Sequence, residues 1–260
     1  MRHPHKWEEL LPEEFFAEIE RSPIVYWCAG TVEDHGLHVA LGTDWIAMYP
    51  VCLGAAERTG GIVFPIVPFA PAYGRGLSRE ELRSGKFELF PPSLWVSGEL
   101  CRQIYIELME SMADLGFKVC MALGGHGPAI RILRQMCEEM NGNIRGMLFY
   151  GGSGWDLIRE DLDRITAEHP EWHGHGGMIE TSLVMGCRPD WVDLSRATRV
   201  VDAPFASQLK DWPKQGMGKN LEHIKDANEE MGKRLIKIMV DRAVEKVNEL
   251  CEKAGVKRAQ

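Results

Sequence analysis

The sequence predicts an α/β fold of three layers, α/β/α, around a mainly parallel central sheet. Three observations carry that expectation. Apolar runs of strand length alternate with helical stripes along most of the chain. Two of those runs close in glycine clusters, where a strand gives way to the next element. No internal repeat, low-complexity tract or linker divides the 260 residues, which suffice for one large core and read as a single domain, 1–260.

Taken in order, Pro23 to Ala29 (Pro-Ile-Val-Tyr-Trp-Cys-Ala) reads as a buried strand. Asp44 to Arg58 reads as a helix, interrupted or kinked near Pro50. Ile62 to Val67 is a second apolar strand, closed by Pro68. From Phe69 to Ser93 the chain is rich in proline, glycine and charge, a long surface excursion of the kind that often carries function. Apolar residues at 100, 104, 108, 109, 112 and 115 make Trp95 to Gly116 a helix. Phe117 to Leu123 is a third strand ending in Gly124-Gly125-His126-Gly127, and Pro128 opens a helix to Met140, as proline in a first turn can. Ile144 to Tyr150 is a fourth strand, closed by Gly151-Gly152-Ser153-Gly154. Ile179 to Met185 is an apolar helix or strand, and about Ala227 to Lys253 is a long amphipathic helix. That last helix and Trp95–Gly116 are the expected contacts between subunits.

Composition narrows the partners. A net charge of −8, with lysines and arginines scattered, excludes nucleic acid and anionic membranes as main partners. The amino terminus lacks the apolar core of a signal peptide, and the longest apolar stretch, Trp45 to Ala56, is too short to span a bilayer. Seven cysteines without Cys-x-x-Cys spacing, most in apolar surroundings, read as free thiols in a reducing cytoplasm.

The chemistry concentrates in Glu33-Asp34-His35 and Asp44. Glu33 and His35 sit two apart, so in extended backbone both point one way and can grip a cation together, with Asp44 returning to it. Carboxylate plus imidazole suits zinc or manganese. Thr43-Asp44 also reads as an ordinary helix start. In open α/β sheets, ligands gather at the carboxyl ends of strands. Glu33, His35 and His126 all follow predicted strands, which favours the metal reading. A second constellation, Trp172-His173-Gly174-His175-Gly176-Gly177-Met178-Ile179-Glu180, offers His175 as a proton carrier, because imidazole titrates near neutrality.

Gly30-Thr31-Val32-Glu33-Asp34-His35-Gly36-Leu37-His38 with Gly42-Thr43-Asp44 resembles the first signature of the creatininase family, usually Gly-Ser-x-Glu-Gln-His-Gly-Pro-His followed by Thr-Asp. Gly125-His126-Gly127 resembles the family's Asn-Gly-His-Gly-Gly-Asn loop. His175-Gly176-Gly177-Met178-Ile179-Glu180-Thr181-Ser182 resembles its His-Ala-Gly-x-x-Glu-Thr-Ser block. Tyr73-Gly74 and Phe90-Pro91-Pro92-Ser93-Leu94 resemble intermediate motifs, all in the family's order between about residues 22 and 190.

The resemblance implies an amidohydrolase for a small, cyclic amide or formamide, with two zinc or manganese ions per subunit. By position, Glu33, Asp44 and His126 would hold one ion and His35 and Asp44 the second, with Asp44 bridging. A hydroxide between two cations is a nucleophile at neutral pH, and His175 would protonate the departing nitrogen. Glu180 is a further catalytic candidate, and Tyr73, Trp155 and Trp172 are candidate substrate contacts. The family further implies a cytoplasmic homo-oligomer, often a hexamer. Departures from its pattern are Pro128 where creatininase has a carboxylate, Gly124 and Ala129 where asparagines are usual, and no serine in Tyr73-Gly74-Arg75-Gly76. They fall around the substrate pocket and argue against creatinine itself. Two other chemistries fit the same residues: a metal-binding protein without catalysis, and a metal-assisted isomerase or aldolase.

Overall fold

Ile24–Ala29 (β1) is buried along its whole length. An apolar run rich in aromatic and β-branched residues is stable there because both sheet faces are covered. In the computed structural model, which describes residues 2–71, 80, 93–197 and 221–256, β1 pairs in parallel with Ile62–Val63 (β2) and with Val119–Gly124 (β3). Leu148–Gly152 (β4) adds to β3, giving a four-stranded parallel sheet in the order β2-β1-β3-β4. β1 and β3 run in step from Ile24 opposite Val119 to Ala29 opposite Gly124, so both end at one level.

The helices, in chain order, are Pro12–Arg21 (α1), Thr43–Thr59 (α2), Gly98–Asp114 (α3), Gly127–Met140 (α4), Gly154–Leu157 (α5), Arg159–Ile165 (α6), Met178–Cys187 (α7), Leu221–Ile224 (α8) and Glu229–Lys253 (α9). α1, α3 and α4 cover the sheet face formed by Val25, Trp27, Cys120, Ala122 and Phe149. α2, α7 and α9 cover the other face, against Ile24, Tyr26, Cys28, Met121 and Leu123. Burying a side chain such as Ile24 or Met121 contributes about 2 kcal/mol, so the two layers hold the sheet between them. The expected three-layer α/β/α fold is the observed one. Among the described residues no helix is long and apolar enough to cross a membrane, and all seven cysteines are free.

Details depart from the sequence reading for local reasons. Strand β2 stops at Val63 because Pro65 has no N–H to donate. The chain still follows β1 through Phe64 N to Tyr26 O (2.8 Å) and Val67 N to Cys28 O (3.0 Å). The fourth strand begins at Leu148 instead of Ile144. Arg145 and Gly146 both have positive φ (48° and 78°), and Ile144 pairs back on Met147 in a tight turn. α2 passes Pro50 without interruption, and Ile179–Met185 lies in a helix. α1 has no counterpart in the sequence reading, although Pro12 stands in its first turn and Glu14 Oε2 accepts from Leu11 N at 2.8 Å.

α3 and α9 each turn one face to the core: Tyr105 and Met109 in one, Leu235, Met239 and Val247 in the other, are wholly buried, while Leu100 of α3 is exposed. α9 crosses α7 closely. At Gly232 an added Cβ would lie 1.9 Å from Ser182 O, so the absence of a side chain lets α9 seat the helix that carries Glu180.

Candidate functional site

Two loops leave the sheet side by side. β1 runs on through Gly30 to Glu33 and His35, and β3 runs into Gly125 and His126, the residue that caps α4. Gly125 N donates to Ala29 O at 2.9 Å, extending the ladder one step past the strands. The first turn of α2 returns to the same place, where Asp44 Oδ2 accepts from Thr31 N at 3.1 Å. The approach is tightest at Gly125, whose Cβ, if present, would lie 1.7 Å from Asp44 O.

Five titratable side chains converge on that spot. His126 Nδ1 lies 2.9 Å from Glu33 Oε2 and 3.5 Å from Asp44 Oδ2. His35 Nε2 lies 3.1 Å from Asp44 Oδ1, 3.8 Å from Glu33 Oε2 and 4.0 Å from Glu180 Oε2. Asp44 thus turns one oxygen to each imidazole.

The far side of each ring fixes its tautomer. His126 Nε2 donates to Pro71 O at 3.0 Å, and His35 Nδ1 donates to Glu33 O at 3.2 Å. A carbonyl can only accept, so those nitrogens carry the proton of the neutral rings. The opposite nitrogens then present lone pairs to carboxylate oxygens, an arrangement that repels unless a proton or a cation lies between them. Glu33 Oε2 is buried without a hydrogen bond, although His126 Nδ1 is close by. An oxygen in that position is suited to a cation.

His175 joins from the other loop. Its Nε2 donates to Asp34 O at 2.6 Å, and its ring stacks on His35 at 4.0 Å between centroids. Glu180 Oε2 accepts from Gly176 N at 2.6 Å. Donor atoms of Glu33, Asp44 and His126, and of Glu33, His35 and His175, lie within 4.8 Å of one another in each group.

The electrostatics agree with the geometry. Burial alone would push His35 down, yet the Asp44, Glu180 and Glu33 carboxylates reverse that and hold it at about 10. His126 is raised in the same way: burial opposes, but Asp44 and Glu33 prevail. Asp44 is buried too, a cost that the facing His35 and His126 outweigh, so its carboxyl stays below the usual range. This is a pocket of strong negative potential. By contrast His38, one turn of loop away, is pushed down to about 4 by burial; its Nε2 meets Thr181 Oγ1 at 2.9 Å, tying this loop to α7.

A cavity of about 360 Å³ adjoins the cluster, lined by His175, Glu180, Trp155, Arg159 and Asp163 among others. Trp155 and Glu180 also border a small recess beside Asp44 and Gly125. The structure therefore brings Glu33, His35, Asp44, His126, His175 and Glu180 together, with Trp155 at their edge. Trp172 is not in that lining; its ring stacks on His169 at 4.2 Å and packs on the core. Tyr73 lies outside the described residues. Sequence reasoning missed Arg159 and Asp163, whose signal was their spacing of four and eight residues from Trp155. It also missed the main-chain carbonyls of Glu33, Asp34 and Pro71, which no residue type announces.

Comparison with known proteins is consistent along the chain. The family model described as creatininase, creatinine amidohydrolase, matches residues 8–247. A creatinine amidohydrolase from Pseudomonas putida is 27% identical over 210 residues, covering 76% of each protein. Among solved structures, a manganese form of creatininase superposes with a TM-score of 0.68 at 21% identity, over 94% of this chain and 97% of that one. A mutant creatininase of Zn-Zn type gives 0.67 at 22% identity, over 94% and 97%.

Proposed function

The chain belongs to the creatininase family, and from that premise we propose that it hydrolyses a carbon–nitrogen bond of a small, cyclic amide or formamide at the Glu33–Asp44–His126 centre. The observation that carries this reading is Asp44. Each of its two oxygens faces an imidazole nitrogen whose partner N–H is held by a carbonyl.

That donor set of oxygens and imidazoles fits zinc or manganese, the ions named for the creatininase structures above. Glu33, Asp44 and His126 would hold one ion, and His35 with Asp44 a second. Glu180, 4.0 Å from His35 Nε2, offers the carboxylate that Pro128 cannot. When bound, such ions polarise a carbonyl and lower the pKa of water.

The chain's own residues supply the rest. Glu180 is held toward the centre by Gly176 N, from which its Oε2 accepts at 2.6 Å. His175, with Nε2 committed to Asp34 O, has Nδ1 left to pass a proton to the departing nitrogen. Pro128, Gly124 and Ala129 leave the surroundings of His126 without the family's polar side chains, which favours a substrate other than creatinine. A cavity beside the centre favours catalysis over a purely structural ion, whose coordination would be closed by four ligands.

The test is a screen of cyclic amides, formamides and ureas against metal-loaded protein, following release of amine or acid. Turnover of one class is expected, lost on chelation and regained with zinc or manganese. No turnover of any class would refute the reading. On the active compound His175→Ala should lower kcat about 1,000-fold and keep the metal. If the metal is lost as well, His175 is a ligand and not the proton carrier. The single catalytic domain would assemble as a cytoplasmic homo-oligomer, hexameric as the family resemblance implies. Light scattering should give that mass, and a monomer at every concentration would contradict it.

A further inference from the structure

Trp155, Arg159 and Asp163 recur every four residues along α5 and α6, and all three line the cavity beside His175 and Glu180. Trp155 presents a flat ring next to the recess at Asp44. Four residues on, Arg159 is set in place by Asp156, whose Oδ1 accepts from Arg159 Nη2 at 3.1 Å. Asp156 is itself fixed: its Oδ2 accepts from Ser153 N at 3.1 Å and from Arg134 Nε at 3.1 Å. Asp156 thus pairs with two guanidinium groups, and of these Arg159 is the one that lines the cavity, where among the described residues it is the sole lysine or arginine beside the acids Asp163 and Glu180. Among the described residues only Nη2 of Arg159 is engaged, so the rest of its planar fork is free for the bidentate contact that a carboxylate makes best. Asp163, a further turn along, would repel an anion reaching past Arg159.

Resting on the amidohydrolase reading, we infer that the substrate is a small cyclic amide carrying a single carboxylate, and that Arg159 is the residue that selects it. The ring lies against Trp155 with the scissile bond toward His175 and Glu180. The carboxylate sits at Arg159, across the Ile158 break between α5 and α6.

The experiment compares dihydroorotate with dihydrouracil, two cyclic ureides that differ by one carboxylate, on the metal-loaded enzyme and on Arg159→Gln. The expected result is a kcat/KM at least tenfold higher for dihydroorotate. Arg159→Gln should lower the ratio between the two about tenfold through KM, with metal content retained. Equal kcat/KM for both compounds, or a ratio unmoved by Arg159→Gln, overturns the inference. Calorimetry separates this from failure of the function itself. If neither ring is opened, dihydroorotate should still bind, and about tenfold more weakly to Arg159→Gln. No binding, or equal binding to both proteins, overturns it.

Discussion

Asp44→Ala should leave the protein without bound metal and lower kcat/KM by roughly 10,000-fold or more, a barrier increase of about 5 kcal/mol. The size follows from the position of the carboxylate. Its two oxygens face His35 and His126 separately, at 3.1 and 3.5 Å, while Oδ2 also accepts from Thr31 N. Removing it takes one donor oxygen from each of the two imidazoles at once. Asp44→Asn separates chemistry from folding, because the amide keeps the shape and can still accept from Thr31 N. It should stay folded by circular dichroism and still lack metal. Metal analysis showing normal occupancy in either variant would refute the bridging role.

Gly125→Ala should do comparable damage by a purely steric route. Its methyl group would fall 1.7 Å from Asp44 O and 2.5 Å from Asp44 C, and both are backbone atoms. Gly125 cannot retreat, since its N–H is bonded to Ala29 O at the end of the sheet. The first turn of α2 must therefore move away and take Asp44 with it. We expect a stability loss of about 3 kcal/mol together with loss of metal. Gly127→Ala is the control: nothing lies within 4 Å of the added atom, so melting temperature and metal content should stay near wild type. A Gly125→Ala protein with full occupancy would show that the contact is softer than the structure implies.

Much of this centre was legible in the sequence, for a reason visible in the sheet. Glu33, His35 and His126 each come after a strand, and parallel strands in register deliver their outgoing loops to one rim. α9 was legible because its apolar spacing matches the packing it makes in the core, whereas α3 buries Cys101, Tyr105, Met109, Met112 and Ala113 and leaves Leu100 and Leu115 of the expected stripe exposed. Other parts were hidden. Ile144 and Met147 are apolar enough for a strand, yet the Arg145-Gly146 turn between them claims the backbone. α1 was overlooked although Phe15 and Ile19, four apart, both pack on the core. Trp172 and Trp155 look alike as residues, and only the packing sends one to His169 and the other to the cavity. Pro128 signalled a missing carboxylate, but the nearness of Glu180, 52 positions later, depends on how α7 is seated.

The three imidazoles of the centre each lean on an oxygen that belongs to the peptide unit itself, at Glu33, Asp34 and Pro71. Every amino acid carries that atom. Substitution scanning would thus find position 71 permissive whenever the new residue keeps the same path, while a shift of the chain there by an ångström would unseat His126. In this protein the scaffolding of these three rings is inherited through the course of the backbone, and related chains can keep it while their letters drift.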